Sequence, residues 1–70
     1  MKRLPVKSSN IVSVGYDPEK QVLEVEFTSG VYQYSGVPQE TADALMAAPS
    51  VGKYFHANIR NNYTASKIGG

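Results

Sequence analysis

Between Gln21 and Ser35 the chain can do little other than fold back on itself. Gln21-Val22-Leu23-Glu24-Val25-Glu26-Phe27-Thr28 alternates apolar and acidic residues, the period-two pattern of a strand with one face buried. Ser29-Gly30 then supplies a two-residue turn, and Val31-Tyr32-Gln33-Tyr34-Ser35 returns as the next strand. Upstream, Asn10-Ile11-Val12-Ser13-Val14-Gly15-Tyr16 is rich in β-branched residues and stops at the turn-forming pair Asp17-Pro18. A one-residue slip would send every apolar side chain to the wrong face, so the turns set the register. With Ser29-Gly30 at the hairpin, Phe27 faces Tyr32 and Val25 faces Tyr34. With a loop at Asp17–Lys20, Val14 faces Leu23 and Val12 faces Val25. One sheet face collects Val12, Val14, Leu23, Val25, Phe27, Tyr32 and Tyr34. The other turns Ser13, Glu24, Glu26, Gln33 and Ser35 toward water.

The pattern then changes to a helical one. Pro38 suits a first helical position, Glu40 complements the positive end, and Ala42, Leu45 and Met46 form an inner face. Pro49 ends that helix, because the residue before a proline avoids helical dihedrals. Ser50 caps a second helix whose inner stripe is Val51, Phe55 and Ile59. Asn61-Asn62 favours a left-handed stop near residue 61. The expected fold class is α+β: a three-stranded antiparallel β-meander followed by two short α-helices packed on one sheet face. Residues 1–9 form a basic N-terminal arm, and residues 10–70 form a single domain.

Seventy residues allow one domain with a marginal core, and without cysteine there is no disulfide to support it. The third strand, Val31–Ser35, has no lysine or proline to blunt edge pairing, so association as a homo-oligomer is a further expectation. No apolar run approaches the roughly 20 residues of a membrane span. Met1–Lys7 is basic but lacks the apolar stretch of a signal peptide, so a cytoplasmic protein without a membrane partner is expected. Charge is segregated. All six acids lie between Asp17 and Asp43, while Lys2, Arg3 and Lys7 stand before them and Lys53, Arg60 and Lys67 after. Such a layout can place a basic surface on a nearly neutral protein; an ordinary mixed surface is the alternative.

The candidate ligand-binding residues are Ser50, Gly52, Lys53, His56, Arg60 and Tyr63. A lysine in the first turn opposes the helix dipole by about 0.3–1 kcal/mol, which points to an anion at the free amides. Gly52 would let that anion approach the backbone. Gly52-Lys53 is no P-loop, since Tyr54 follows and the upstream glycine is missing. Lys53, His56 and Arg60 fall on one helical face, with Tyr63 continuing that side, a set suited to a phosphate and its base. A plain capped helix with a solvated basic face is the alternative. Tyr32 and Tyr34 suggest base stacking, but their register puts them beneath the helices, so a core role is expected. With one histidine and no cysteine, neither a metal site nor a cofactor is expected, and no nucleophile–base pair or carboxylate cleft marks an enzyme.

These residues together resemble the KTSC domain, a family named for its place at the C-terminus of some lysyl-tRNA synthetases. The resemblance runs through Ser8-Ser9-Asn10-Ile11, Val14-Gly15-Tyr16-Asp17, Leu23–Phe27, Tyr32-Gln33-Tyr34 and Val37-Pro38. It continues through Gly52-Lys53-Tyr54-Phe55 and Ile59-Arg60 to Tyr63. Members also occur as free-standing small proteins, some in phages and prophages. The resemblance implies RNA binding by association with the synthetase, which the basic helix and arm could serve. A phage-type protein sequestering a nucleotide as a homo-oligomer is the alternative, and a structural or protein-interaction module is a third.

Overall fold

In the computed structural model, which describes residues 2–69, the expected hairpin is the centre of a wider sheet. Its strands are β1 (Leu4–Pro5), β2 (Ile11–Asp17), β3 (Val22–Phe27), β4 (Gly30–Ser35) and β5 (Thr64–Gly69). They run in that order across the sheet, every neighbour antiparallel. Two helices, α1 (Gln39–Ala47) and α2 (Val51–Asn58), intervene before β5. The class is α+β as expected, but five strands are present among the described residues rather than three. Met1 and Gly70, the ends of the expected arm and domain, lie outside the described residues.

Both turns close one residue away from the expected place. The hairpin loop is Thr28-Ser29, so Phe27 pairs with Gly30, Val25 with Tyr32 and Leu23 with Tyr34. The earlier loop spans residues 18–21, so Tyr16 pairs with Leu23 and Val14 with Val25. Asp17 Oδ1 accepts the amides of Glu19 at 3.0 Å and Lys20 at 3.3 Å, which folds that loop after Asp17. Moving a turn by one residue moves each pairing by two, and two is the strand period. The faces therefore survive the error in register.

They fail at one place. A bulge between Ile11 and Ser13 turns Ile11 inward, 2% exposed, and Val12 outward, 43% exposed. Ile11 thus joins Val14, Leu23, Val25 and Tyr34 on the face that packs against Ala42, Leu45, Val51, Phe55 and Ile59. Met46, expected on the inner face of α1, is 39% exposed. The Val51, Phe55 and Ile59 stripe is buried throughout. No left-handed residue ends α2: Gln21 is the one described non-glycine residue with positive φ, at 53°. Instead Ile59 and Arg60 both donate to the Phe55 carbonyl, at 2.9 and 3.0 Å, and a turn carries the chain to β5.

The N-terminal segment is part of the fold. Leu4–Pro5 pairs with Val14 and Ser13, an edge position that tolerates proline. Arg3 then lies across the outer sheet face. A side chain at Gly15 would come within 2.8 Å of the Lys2 carbonyl, so the glycine makes room for this crossing. Arg3 Nε donates to Ser13 Oγ at 3.0 Å, and its guanidinium pairs with Glu24. Gln33 donates to the other Glu24 oxygen at 3.0 Å, and Ser13 donates to Glu26 at 2.8 Å. Glu24, expected to face water, is consequently 6% exposed. A buried carboxylate is tolerable when both oxygens are bonded.

This network makes stability depend on acidity. The hydrogen bond from Gln33, aided by Arg3, holds the Glu24 carboxyl below its ordinary range although burial pushes it up. A carboxyl depressed in the folded state contributes stability above its unfolded pKa and loses it as pH falls through the folded one. Wild-type stability should therefore decline as pH drops below about 4.3, where an unperturbed glutamate titrates, and Glu24→Gln should flatten that decline. Urea unfolding across an acid pH series measures both curves; parallel curves would remove Glu24 as the cause. Arg3→Ala should cost about 1–3 kcal/mol at neutral pH, because it strips a buried acceptor of its charged partner.

Candidate functional site

The helices leave one part of the inner sheet face open. There, between α2 and the β3–β4 hairpin, lies a cleft of about 450 Å³. Its floor is aromatic. Phe27 meets Tyr32 edge-on with centroids 5.7 Å apart and Phe55 at 5.2 Å, and Phe55 meets Tyr34 at 5.3 Å. Its wall on the α2 side is His56 and Arg60, and its rim is Asn10 with the turn residues Thr28 and Ser29. No acid is among the lining residues.

Local structure places each group. Arg60 follows α2, but its amide still bonds the Phe55 carbonyl, so the helical path continues far enough to set Arg60 beside His56. Arg60 Nη1 lies 3.5 Å from His56 Nδ1. Guanidinium only donates, so Nδ1 can enter this contact only as an acceptor. Lys67 of β5, paired with Tyr32, sets its Nζ 6.0 Å from the Tyr32 ring centre. That is at the outer reach of a cation–π contact and adds a third basic group beside the cleft.

Tyr34 is the unusual member. It is 5% exposed, yet its hydroxyl makes no hydrogen bond to protein among the described residues. The oxygen is not sealed from solvent either, since no fully buried polar side-chain atom lacks a partner there. Tyr34 also lines the cleft. Burial pushes the hydroxyl's pKa up, Tyr32 does the same, and the charge of Arg60 pulls it down. Tyr16 shows the contrasting case, for its hydroxyl is satisfied by the Val37 carbonyl at 2.5 Å.

The six expected site residues divide. His56 and Arg60 meet in the cleft, while Ser50, Gly52 and Lys53 stand at the opposite end of α2. Ser50 caps the helix as expected, accepting the Lys53 amide at 3.3 Å, so that amide is not free for an anion. The approach to Gly52 is used by the chain itself: a side chain there would lie 3.1 Å from Ser8 Oγ. Lys53 is exposed, and Tyr63 is half-buried against the core instead of extending the basic face. The residues missed by the sequence reading are Asn10, Thr28, Ser29 and Lys67. Tyr32 and Tyr34 hold the core positions expected of them, and they also line the cleft.

The sequence model of the KTSC domain matches residues 7–63. An uncharacterized protein of Stutzerimonas stutzeri is 53% identical over 57 residues, covering 80% of each chain. A lysine–tRNA ligase of Nostoc is 39% identical over 66 residues, 93% of this chain but 12% of the ligase. The crystal structure of a KTSC domain protein from Yersinia pestis superposes with a TM-score of 0.95 at 43% identity, covering 97% of both chains.

Proposed function

The chain belongs to the KTSC domain family, and from that premise we propose that it is a non-enzymatic module that binds single-stranded RNA. The observation that carries this reading is the pairing of a basic α2 face with an aromatic cleft that has no acid in its lining. Phosphates need the charge and unstacked bases need the rings, and single-stranded nucleic acid offers both. The related segment in proteins named lysine–tRNA ligase is in keeping with an RNA partner. The arm contributes less than its sequence promised, because Arg3 is committed to Glu24. Lys7 remains exposed, and Ser8 resting near Gly52 brings it toward the Lys53 end of α2. A free nucleotide held by the same groups is the second reading, favoured by the bounded size of the cleft.

Fluorescence anisotropy with short single-stranded RNA tests this. If Lys53, Arg60 and Lys67 each meet a phosphate, the logarithm of affinity should fall with that of salt with a slope of about −2. Arg60→Ala should weaken binding and shallow the slope by about 0.7 without unfolding, since the side chain is exposed. Lys53→Glu should raise stability by about 0.3–1 kcal/mol through the helix dipole while lowering affinity. A wild-type chain that binds no RNA at low salt would end this reading.

A further inference from the structure

We infer that the cleft between α2 and the β3–β4 hairpin is a pocket for one unstacked nucleotide, with Tyr32 beneath the base, Tyr34 and Asn10 reading its edge, and Arg60 holding its phosphate. This rests on the nucleic-acid reading above and goes further, since a basic helix face alone would bind a backbone without taking in a base.

The unpartnered polar groups carry the inference. A buried tyrosine ordinarily finds a partner for its hydroxyl, and even the half-buried Tyr16 does so. Tyr34 lines the cleft, and its hydroxyl has no protein partner among the described residues and is not sealed from solvent. Burial and its neighbour Tyr32 outweigh Arg60 and keep that hydroxyl protonated, so it can donate as well as accept. Asn10, exposed at the rim, makes no side-chain hydrogen bond among the described residues. Asn10 is held by its backbone, whose carbonyl accepts the Thr28 amide at 3.2 Å, so the side chain stands on a fixed frame.

The floor of the cleft is aromatic, and Tyr32 is its half-exposed ring. A flat ligand with hydrogen-bonding edges and an attached anion satisfies all three features together. A nucleobase with its phosphate is such a ligand. An apolar ligand would leave Tyr34 and Asn10 unpaired, and inorganic phosphate would leave the floor bare. The volume, about 450 Å³, lies within the range of small-ligand pockets, about 300–1,000 Å³.

Amide chemical-shift titration of the full chain with each 5′-mononucleotide tests this, with ribose 5-phosphate and inorganic phosphate as base-free controls. Mononucleotides should move the amides of Asn10, Ser29, Tyr32 and Arg60 saturably, and the controls should move Arg60 alone. Tyr34→Phe keeps the ring in the core and removes the hydroxyl; it should weaken mononucleotide binding by about fivefold, the loss of one hydrogen bond. Asn10→Ala should act similarly and change the preference among bases. Mononucleotide binding without RNA binding supports the pocket and makes free nucleotides its source. RNA binding that depends on Arg60 but is unaffected by Tyr34→Phe and Asn10→Ala, with no mononucleotide response, overturns the pocket and leaves the RNA reading standing. A chain that binds neither overturns both.

Discussion

Phe55→Ala should cost about 3–5 kcal/mol, the range for removing a large aromatic from a packed core. Phe55 is 1% exposed and sits where the sheet and α2 meet. Its ring makes edge-to-face contacts with Phe27 and Tyr34, each worth about 0.5–1.5 kcal/mol beyond the area buried. The other side of the comparison is small. A domain of 70 residues has a total stability of roughly 3.5–10 kcal/mol at 0.05–0.15 kcal/mol per residue. The substitution should therefore remove a large share of the chain's stability. Urea unfolding followed by circular dichroism reads this. A cooperative transition within about 1 kcal/mol of wild type would mean that the cleft floor is not structural, in conflict with its position in the core.

Gly30→Ala should be nearly as damaging through a different cause. Gly30 opens β4 with φ at 155°, a conformation side chains rarely adopt. A methyl group there would also come within 2.7 Å of the Gly69 carbonyl and 2.9 Å of Lys67 Cε. The lysine can move, but the carbonyl belongs to β5 and cannot move without breaking strand pairing. Backbone strain and lost pairing together should cost about 2–4 kcal/mol. The damage should also be local. Hydrogen exchange should accelerate across Thr64–Gly69 while the central amides of β2 and β3 keep their relative protection. Unchanged protection in β5 would show that the strand accommodates the methyl group.

That second case shows where sequence patterns lose their hold. Thr64-Ala65-Ser66-Lys67-Ile68-Gly69 has no apolar alternation to mark it as a strand, and all but its last residue are exposed. It is a strand because β4 offers an open row of backbone donors and acceptors, which the following chain can reach. Its presence corrects the expectation that Val31–Ser35 is a free edge for a second copy. β1 is similar: two exposed residues become a strand because Gly15 lets Lys2 and Arg3 cross the sheet, and Glu24 supplies a buried charge to meet.

The candidate site was legible in halves. His56 and Arg60 follow from helical spacing, and the structure sets them side by side. Their aromatic neighbours Tyr32 and Tyr34 pack in and against the core as expected, but the helices do not cover all of that face. Helices of nine and eight residues are each about 12–14 Å long. A sheet of five strands is about 19 Å from first to last at 4.7–4.9 Å per step. Two such helices would cover most of a three-stranded face, but here they leave the hairpin end open. The opening lies at the hairpin end of β3 and β4, and its lining includes no residue of β1 or β5.

By itself the sequence determined what local periodicity and local hydrogen bonding determine. The alternation of β3 chose the sheet faces, and those faces survived both misplaced turns because a two-residue shift preserves parity. Ser50 began α2, and the spacing of Val51, Phe55 and Ile59 chose its buried side. Tertiary structure alone decided the bulge that exchanged Ile11 for Val12, the two added strands, the burial of Glu24 and the cleft beside Tyr34. Each of these depends on which backbone edges and side-chain faces remain unsatisfied once other elements have docked. That surplus is a property of the assembled surfaces, and no window of neighbouring residues encodes it.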